Sequence, residues 1–112
     1  MRPEKLYLTD ILDAADALSR FCAGVSLENL LGDEMRQAAI LQKLIVIGEA
    51  AARLPDEFCQ RYKEIPWVDI IGFRNIAVHE YFSIDLRIVW STATRDVPVL
   101  REQIAALLSL YS

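Results

Sequence analysis

The stretch DEMRQAAILQKLIVIGEAAARL, running from Asp33 to Leu54, carries two adjacent apolar stripes at helical spacing. Ala38, Leu41, Ile45, Gly48 and Ala52 form one; Ile40, Leu44, Ile47, Ala51 and Leu54 form the other. A helix that is apolar over so wide an arc sits at the centre of a bundle, or is shared between its own bundle and a partner. Gly48, close to Ala50, Ala51 and Ala52, allows a neighbouring helix to approach closely. Glu49 and Arg53 stand four residues apart in the order that favours an ion pair along one helix, which gives Glu49 a structural role. Pro55 ends the helix, because it lacks an N–H and restricts the residue before it.

Outward from this stretch the chain continues in helices. Glu4 to Ala23 repeats Leu8, Ile11, Ala15, Leu18 and Cys22 at spacings of three and four, with Leu12 and Phe21 widening the stripe and Gly24 as the stop. Ser26 to Gly32 is a connector with one helical turn. Asp56 to Tyr62 is a short helix, and Pro66 starts another that runs from Trp67 to about Ile76. Ile84 to Tyr111 keeps one stripe in phase from Leu86 through Val89, Ala93, Val97, Leu100, Ile104 and Leu107. Pro98 lies inside it and predicts a kink rather than a break, since the phase is continuous across it. The expected fold is all-α: residues 1–112 form one domain, a largely antiparallel four-helix bundle with a short extra helix and a kinked C-terminal helix.

Composition narrows the function. Of 112 residues, 54% are apolar, more than so small a chain readily hides, so an oligomer with an apolar interface is expected. The net charge of −4 argues against nucleic-acid binding by general phosphate attraction and leaves room for a local arginine site. Cys22 and Cys59 form no CxxC pair and there is one histidine, so neither a zinc site nor a disulfide framework is indicated; buried free thiols are expected. No apolar run approaches the roughly 20 residues a membrane-spanning helix needs, and the N-terminus lacks the pattern of a signal peptide. A cytoplasmic protein is expected.

The chemistry concentrates in Arg74-Asn75-Ile76-Ala77-Val78-His79-Glu80-Tyr81, which holds that histidine. RNA can be cut without metal when its 2′-hydroxyl attacks the adjacent phosphorus and the 5′-oxygen leaves. The reaction needs a group that moves a proton near neutral pH, a role suited to histidine, and a fixed cation on the phosphate, suited to arginine. Arg74 and His79 supply both, and Asn75 can orient either or donate to phosphate. Five helical residues turn through about 140° and rise about 7.5 Å. The pair therefore shares a face only if the helix ends between them; otherwise a second copy completes the site. Taken alone, an Arg-x4-His spacing recurs by chance, and a lone histidine in an apolar helical region is more often a hydrogen-bonded structural residue.

Further motifs carry a resemblance. Arg74-Asn75-x3-His79-x-Tyr81 resembles the Arg-x4-His-x-Tyr signature of the HepT toxins, within the HEPN (higher eukaryote and prokaryote nucleotide-binding) superfamily. Ile47-Gly48-Glu49-Ala50-Ala51, Ile65-Pro66-Trp67, Gly72-Phe73-Arg74-Asn75, Trp90 and Asp96-Val97-Pro98 are similar to the family's pattern in the same order. The resemblance implies a HEPN bundle and a homodimer with a composite cleft. It also implies metal-independent cleavage of RNA that restrains growth, with no cofactor, Arg74 and His79 catalytic and Asn75 in support. It further implies a minimal nucleotidyltransferase antitoxin of the MntA type, which transfers AMP from ATP to Tyr81. Arg87 and Arg95 are candidates for additional phosphate contacts. The competing expectation is a HEPN module that binds a nucleotide or docks a nucleotidyltransferase without cutting RNA. A purely structural bundle would leave the polar motif without a purpose.

Overall fold

The computed structural model describes residues 4–111. Helix α1 (Glu4–Cys22) ends at Gly24, whose φ of 71° is the left-handed conformation that glycine adopts without steric cost. Helix α2 (Leu27–Leu31) is the turn expected in the connector. It is started by a reciprocal cap: Asn29 N donates to Ser26 Oγ at 3.1 Å, and Ser26 N to Asn29 Oδ1 at 3.2 Å. Helix α3 (Glu34–Arg53) is capped by Asp33, which accepts from Arg36 N at 3.0 Å. The Arg36 guanidinium also donates to Phe21 O at 2.6 Å, fastening the start of α3 to the end of α1.

Helix α4 (Asp56–Arg61) follows Pro55. Helix α5 (Trp67–His79) begins after Pro66 and runs three residues past the expected end at Ile76. Trp67 anchors it: the indole is buried, donates to Tyr62 O at 3.1 Å, and lies edge-on to Phe58. A 3₁₀ turn (Tyr81–Ser83) leads to α6 (Leu86–Ser91), capped by Asp85.

The kink expected at Pro98 is a π-helical turn, Thr92–Asp96, between α6 and α7 (Val97–Leu108). Val97 N donates to Thr92 O across the wider turn. The Thr94 hydroxyl bonds Trp90 O at 2.7 Å. The π turn delivers Pro98 into the first turn of α7, where its missing N–H is tolerated. Helical winding thus persists from Leu86, two residues later than expected, to a last 3₁₀ turn at Ser109–Tyr111.

Helix α3 packs against α1 on one side and α5 on the other, while α7 lies against α1. Among the described residues there is no strand, so the fold is the expected all-α bundle. Of the two stripes on α3, that of Ile40, Leu44, Ile47, Ala51 and Leu54 is buried throughout, whereas Ala38 and Ala52 at the ends of the other face outward. One apolar cluster runs from Leu8, Ile11 and Leu18 through this stripe to Val89, Leu100 and Ile104. At its edge Arg101 reaches Asp16 at 3.0 Å, and that hydrogen bond holds the guanidinium proton more firmly. Cys22 and Cys59 are free, but half-buried rather than fully buried as expected. Partial burial raises both thiols' pKa values, with Arg36 opposing the rise at Cys22 and Asp56 adding to it at Cys59.

Candidate active site

Gly48 is the point at which α3 admits α5. A Cβ there would collide with Cβ of Arg74, come within 2.7 Å of its Cγ, and lie 3.3 Å from Ile70 O. The glycine therefore seats the root of the Arg74 side chain directly on the α3 backbone. The next residue, Glu49, accepts from Arg74 Nη1, and Asn75 Oδ1 accepts from Arg74 Nε at 2.8 Å. These bonds fix the plane of the guanidinium, and among the described residues Nη2 has no acceptor.

This overturns the partner expected for Glu49. Its ion pair joins Arg74 on α5, 25 residues away, and not Arg53 one turn along its own helix. Arg53 and Glu49 lie on one helix, but Arg74 presents a fork already seated beside the carboxylate. Glu49 is the partner of Arg74 that spacing along one helix missed, and its place in the Ile47-Gly48-Glu49-Ala50 run was the available signal.

His79 is the last residue of α5 and is exposed. The helix does not end between Arg74 and His79, so of the two geometries open at the sequence level the shared face within one chain is removed. Helical rotation puts Arg74 with Trp67, Ile70 and Ala77 on the side facing α3. It puts His79 with Val68, Gly72 and Asn75 on the outward side. Asn75 belongs to the histidine's stripe and reaches back to the arginine, linking the two faces.

The outward side is unusually apolar for a free surface. Val68 is 83% exposed, and Ile76, at the edge of that side, is 51% exposed. A Cβ on Gly72 would meet nothing within 4 Å. Just beyond α5, Tyr81 is exposed, and its ring stands at 76° to that of Phe82 with centroids 5.4 Å apart. Arg87, in the first turn of α6, and Arg95, in the π turn, are both exposed.

On the other flank of α5 a groove of about 580 Å³ opens toward α7. Leu44, Ile47, Ile70, Phe73 and Leu100 are among its apolar walls, and Glu64, Asp69 and Asp96 are its charged residues. Three carboxylates without a lysine or arginine in the lining make this flank unfavourable for a phosphodiester chain. Among the described residues no group of three or more His, Cys, Asp or Glu is placed to hold a metal ion. No helix among them is long and apolar enough to cross a membrane.

An all-α bundle that presents arginine, asparagine, histidine and tyrosine along one helix and the turn after it is a HEPN-like domain. The family profile described as "Ribonuclease HepT-like" matches residues 11–107. A protein of Caldanaerobacter subterraneus subsp. tengcongensis named "Putative RNase" is 34% identical over 108 residues, covering 96% of each chain. A "Probable ribonuclease HepT" of Thermococcus cleftensis is 35% identical over 100 residues, covering 89% of this chain and 91% of the relative. This chain belongs to the HepT-like ribonuclease family. No solved structure matches it.

Proposed function

We propose that this protein is the toxin of a toxin–antitoxin pair, a metal-independent endoribonuclease acting as a homodimer of single-domain chains. The observation that carries the reading is the arginine seat: Gly48 admits Arg74, and Glu49 and Asn75 hold its guanidinium with Nη2 left over. An arginine bound in this way acts as a fixed charge with little reorganisation left to make, which is what stabilising a crowded phosphorane requires.

In the proposed reaction the 2′-oxygen forms a bond to the adjacent phosphorus as its proton passes to a general base. The P–O5′ bond breaks, and a proton reaches the departing 5′-oxygen. The products are a 2′,3′-cyclic phosphate and a 5′-hydroxyl. His79 moves protons, Arg74 neutralises the phosphoryl oxygens and Asn75 couples them. Because His79 faces away from α3, the site is completed by pairing two α5 helices through their outward faces. Exposed Val68 and Ile76 favour such a contact, and Gly72 offers no side chain to obstruct it.

Control of the site is proposed to act through Tyr81. Its phenolic oxygen attacks the α-phosphorus of ATP in a minimal nucleotidyltransferase partner of the MntA type, pyrophosphate leaves, and the phenolic proton is lost to a base. The resulting AMP ester places a charged, bulky group two residues from His79 and blocks RNA. The test is cleavage of RNA by the purified, unmodified chain in excess EDTA beside H79A. Cleavage that survives EDTA and disappears in the variant supports a metal-independent site at His79. Absence of cleavage by a folded, unmodified dimer across varied RNAs favours a HEPN module that binds without cutting.

A further inference from the structure

Phe82 is 99% exposed, a placement that no packing within the chain explains. Phenylalanine is among the residues most often found inside, and a whole ring in water is unfavourable unless something covers it in function. Its surroundings indicate what does. The ring is the third residue after His79, in the tight turn fixed by Ser83 N donating to Glu80 O at 3.0 Å. Tyr81 stands edge-to-face with it and steadies its orientation, and its near-complete exposure leaves a ring face open. Arg87 follows in the first turn of α6, with its exposed guanidinium in no ion pair among the described residues. Of the nearby acids, Asp85 is occupied in capping α6, accepting from Arg87 N at 2.9 Å, while Glu80 remains exposed. The opposite flank of α5 is closed to a polyanion by Glu64, Asp69 and Asp96.

Building on the ribonuclease reading above, we propose that Phe82 is the stacking platform for an unpaired base of the RNA substrate, beside the phosphodiester that is cut. Proteins hold single-stranded RNA by stacking splayed bases on aromatic faces, with cationic side chains taking the flanking phosphates. Here the histidine closes α5, the ring sits in the 3₁₀ turn that follows, and the arginine lies in the first turn of α6, all within the short stretch from His79 to Arg87. Stacking positions the nucleotide without reading its hydrogen-bonding edge, so the platform tolerates different bases, with preference set by stacking strength. Phe82 is thus a positioning residue and takes no part in proton transfer.

The experiment measures binding, so that it does not depend on cleavage. The probe is a mixed-sequence 2′-O-methyl oligonucleotide, which keeps bases and phosphates but lacks the attacking hydroxyl. Its affinity for the full-length wild type, F82A, F82L and F82W is read by fluorescence anisotropy, with light scattering for oligomeric mass. F82A is expected to weaken binding about tenfold. F82W is expected to restore it and F82L to fail, since leucine matches the apolar surface but has no ring face. In cleavage assays F82A raises KM and leaves kcat within about threefold. The proposal is overturned if F82A binds as the wild type does, if F82L rescues fully, if no variant binds the probe, or if F82A changes the oligomeric mass. Normal cleavage by H79A would instead sink the assignment of His79 and leave the binding readout for Phe82 standing.

Discussion

Gly48→Ala tests the seat on which the site is built. The new methyl would lie 2.7 Å from Arg74 Cγ and closer still to its Cβ. Carbon atoms prefer about 3.5–4.0 Å, so α5 must retreat from α3 by on the order of 1 Å. The obstructing atoms are the root of the arginine side chain, which cannot swing aside as its far end could. Overpacking of this kind costs about 1–3 kcal/mol, and replacing a helical glycine by alanine returns up to about 1 kcal/mol. The net expectation is a loss of about 1–2 kcal/mol, or roughly 4–8 °C in Tm for a chain of this size. Activity should fall further than stability, because displacing a positioning group by about 1 Å can cost on the order of 100-fold in rate. The assay is urea unfolding followed by circular dichroism at one fixed protein concentration, beside RNA cleavage at a temperature where both proteins are folded. Within the single chain Gly72→Ala meets nothing within 4 Å of its new Cβ and should gain about 0.5–1 kcal/mol, so a loss at Gly72 would point to the proposed contact between two α5 helices instead. A G48A protein as stable and as active as the wild type would refute the close α3–α5 contact and the seating argument with it.

Three further outcomes are expected. Glu49→Ala should lower cleavage about tenfold by releasing Arg74, while E49Q, which keeps an acceptor, should recover part of it; with Glu49 44% exposed, stability should change by less than about 1 kcal/mol, as measured by denaturant titration. Trp67→Phe should cost about 1 kcal/mol in a thermal melt, since it keeps much of the buried ring but strips the donor from Tyr62 O. The half-buried thiols set an alkaline limit: both pKa values are raised, so the unfolded chain releases these protons first as pH rises. Their contribution is fully present below the free-thiol pKa of about 8.5 and is lost as pH rises through the folded-state values, so Tm should decline there less steeply in C22A/C59A than in the wild type.

The site divides between what neighbouring residues determine and what only packing decides. The extents of α1 and α3, the stop at Gly24, the turn at Leu27–Leu31 and the start of α5 after Pro66 follow from local spacing, caps and backbone chemistry. The linear sequence is enough for these because each depends on residues within a turn or two. The run Arg74, Asn75, His79 and Tyr81 was equally visible along the chain as a set of polar groups, and the roles given to them are the proposal made above. Which stripe of α3 is buried could not be settled locally, because both are apolar and the choice rests on where α1 and α5 lie. Glu49 was misassigned for the same reason: Arg53 is near in sequence, whereas Arg74 is near in space only after Gly48 has let the two helices meet. The continuation of α5 through His79 likewise turned a question of spacing into one of faces. The π turn before Pro98 was legible only as an irregularity, since a proline states which hydrogen bond is missing but not how the chain absorbs the loss. Sequence by itself determined the helices and the chemical groups; tertiary structure decided their partners, because an ion pair or a close helix contact depends on distances that periodicity along one helix does not contain.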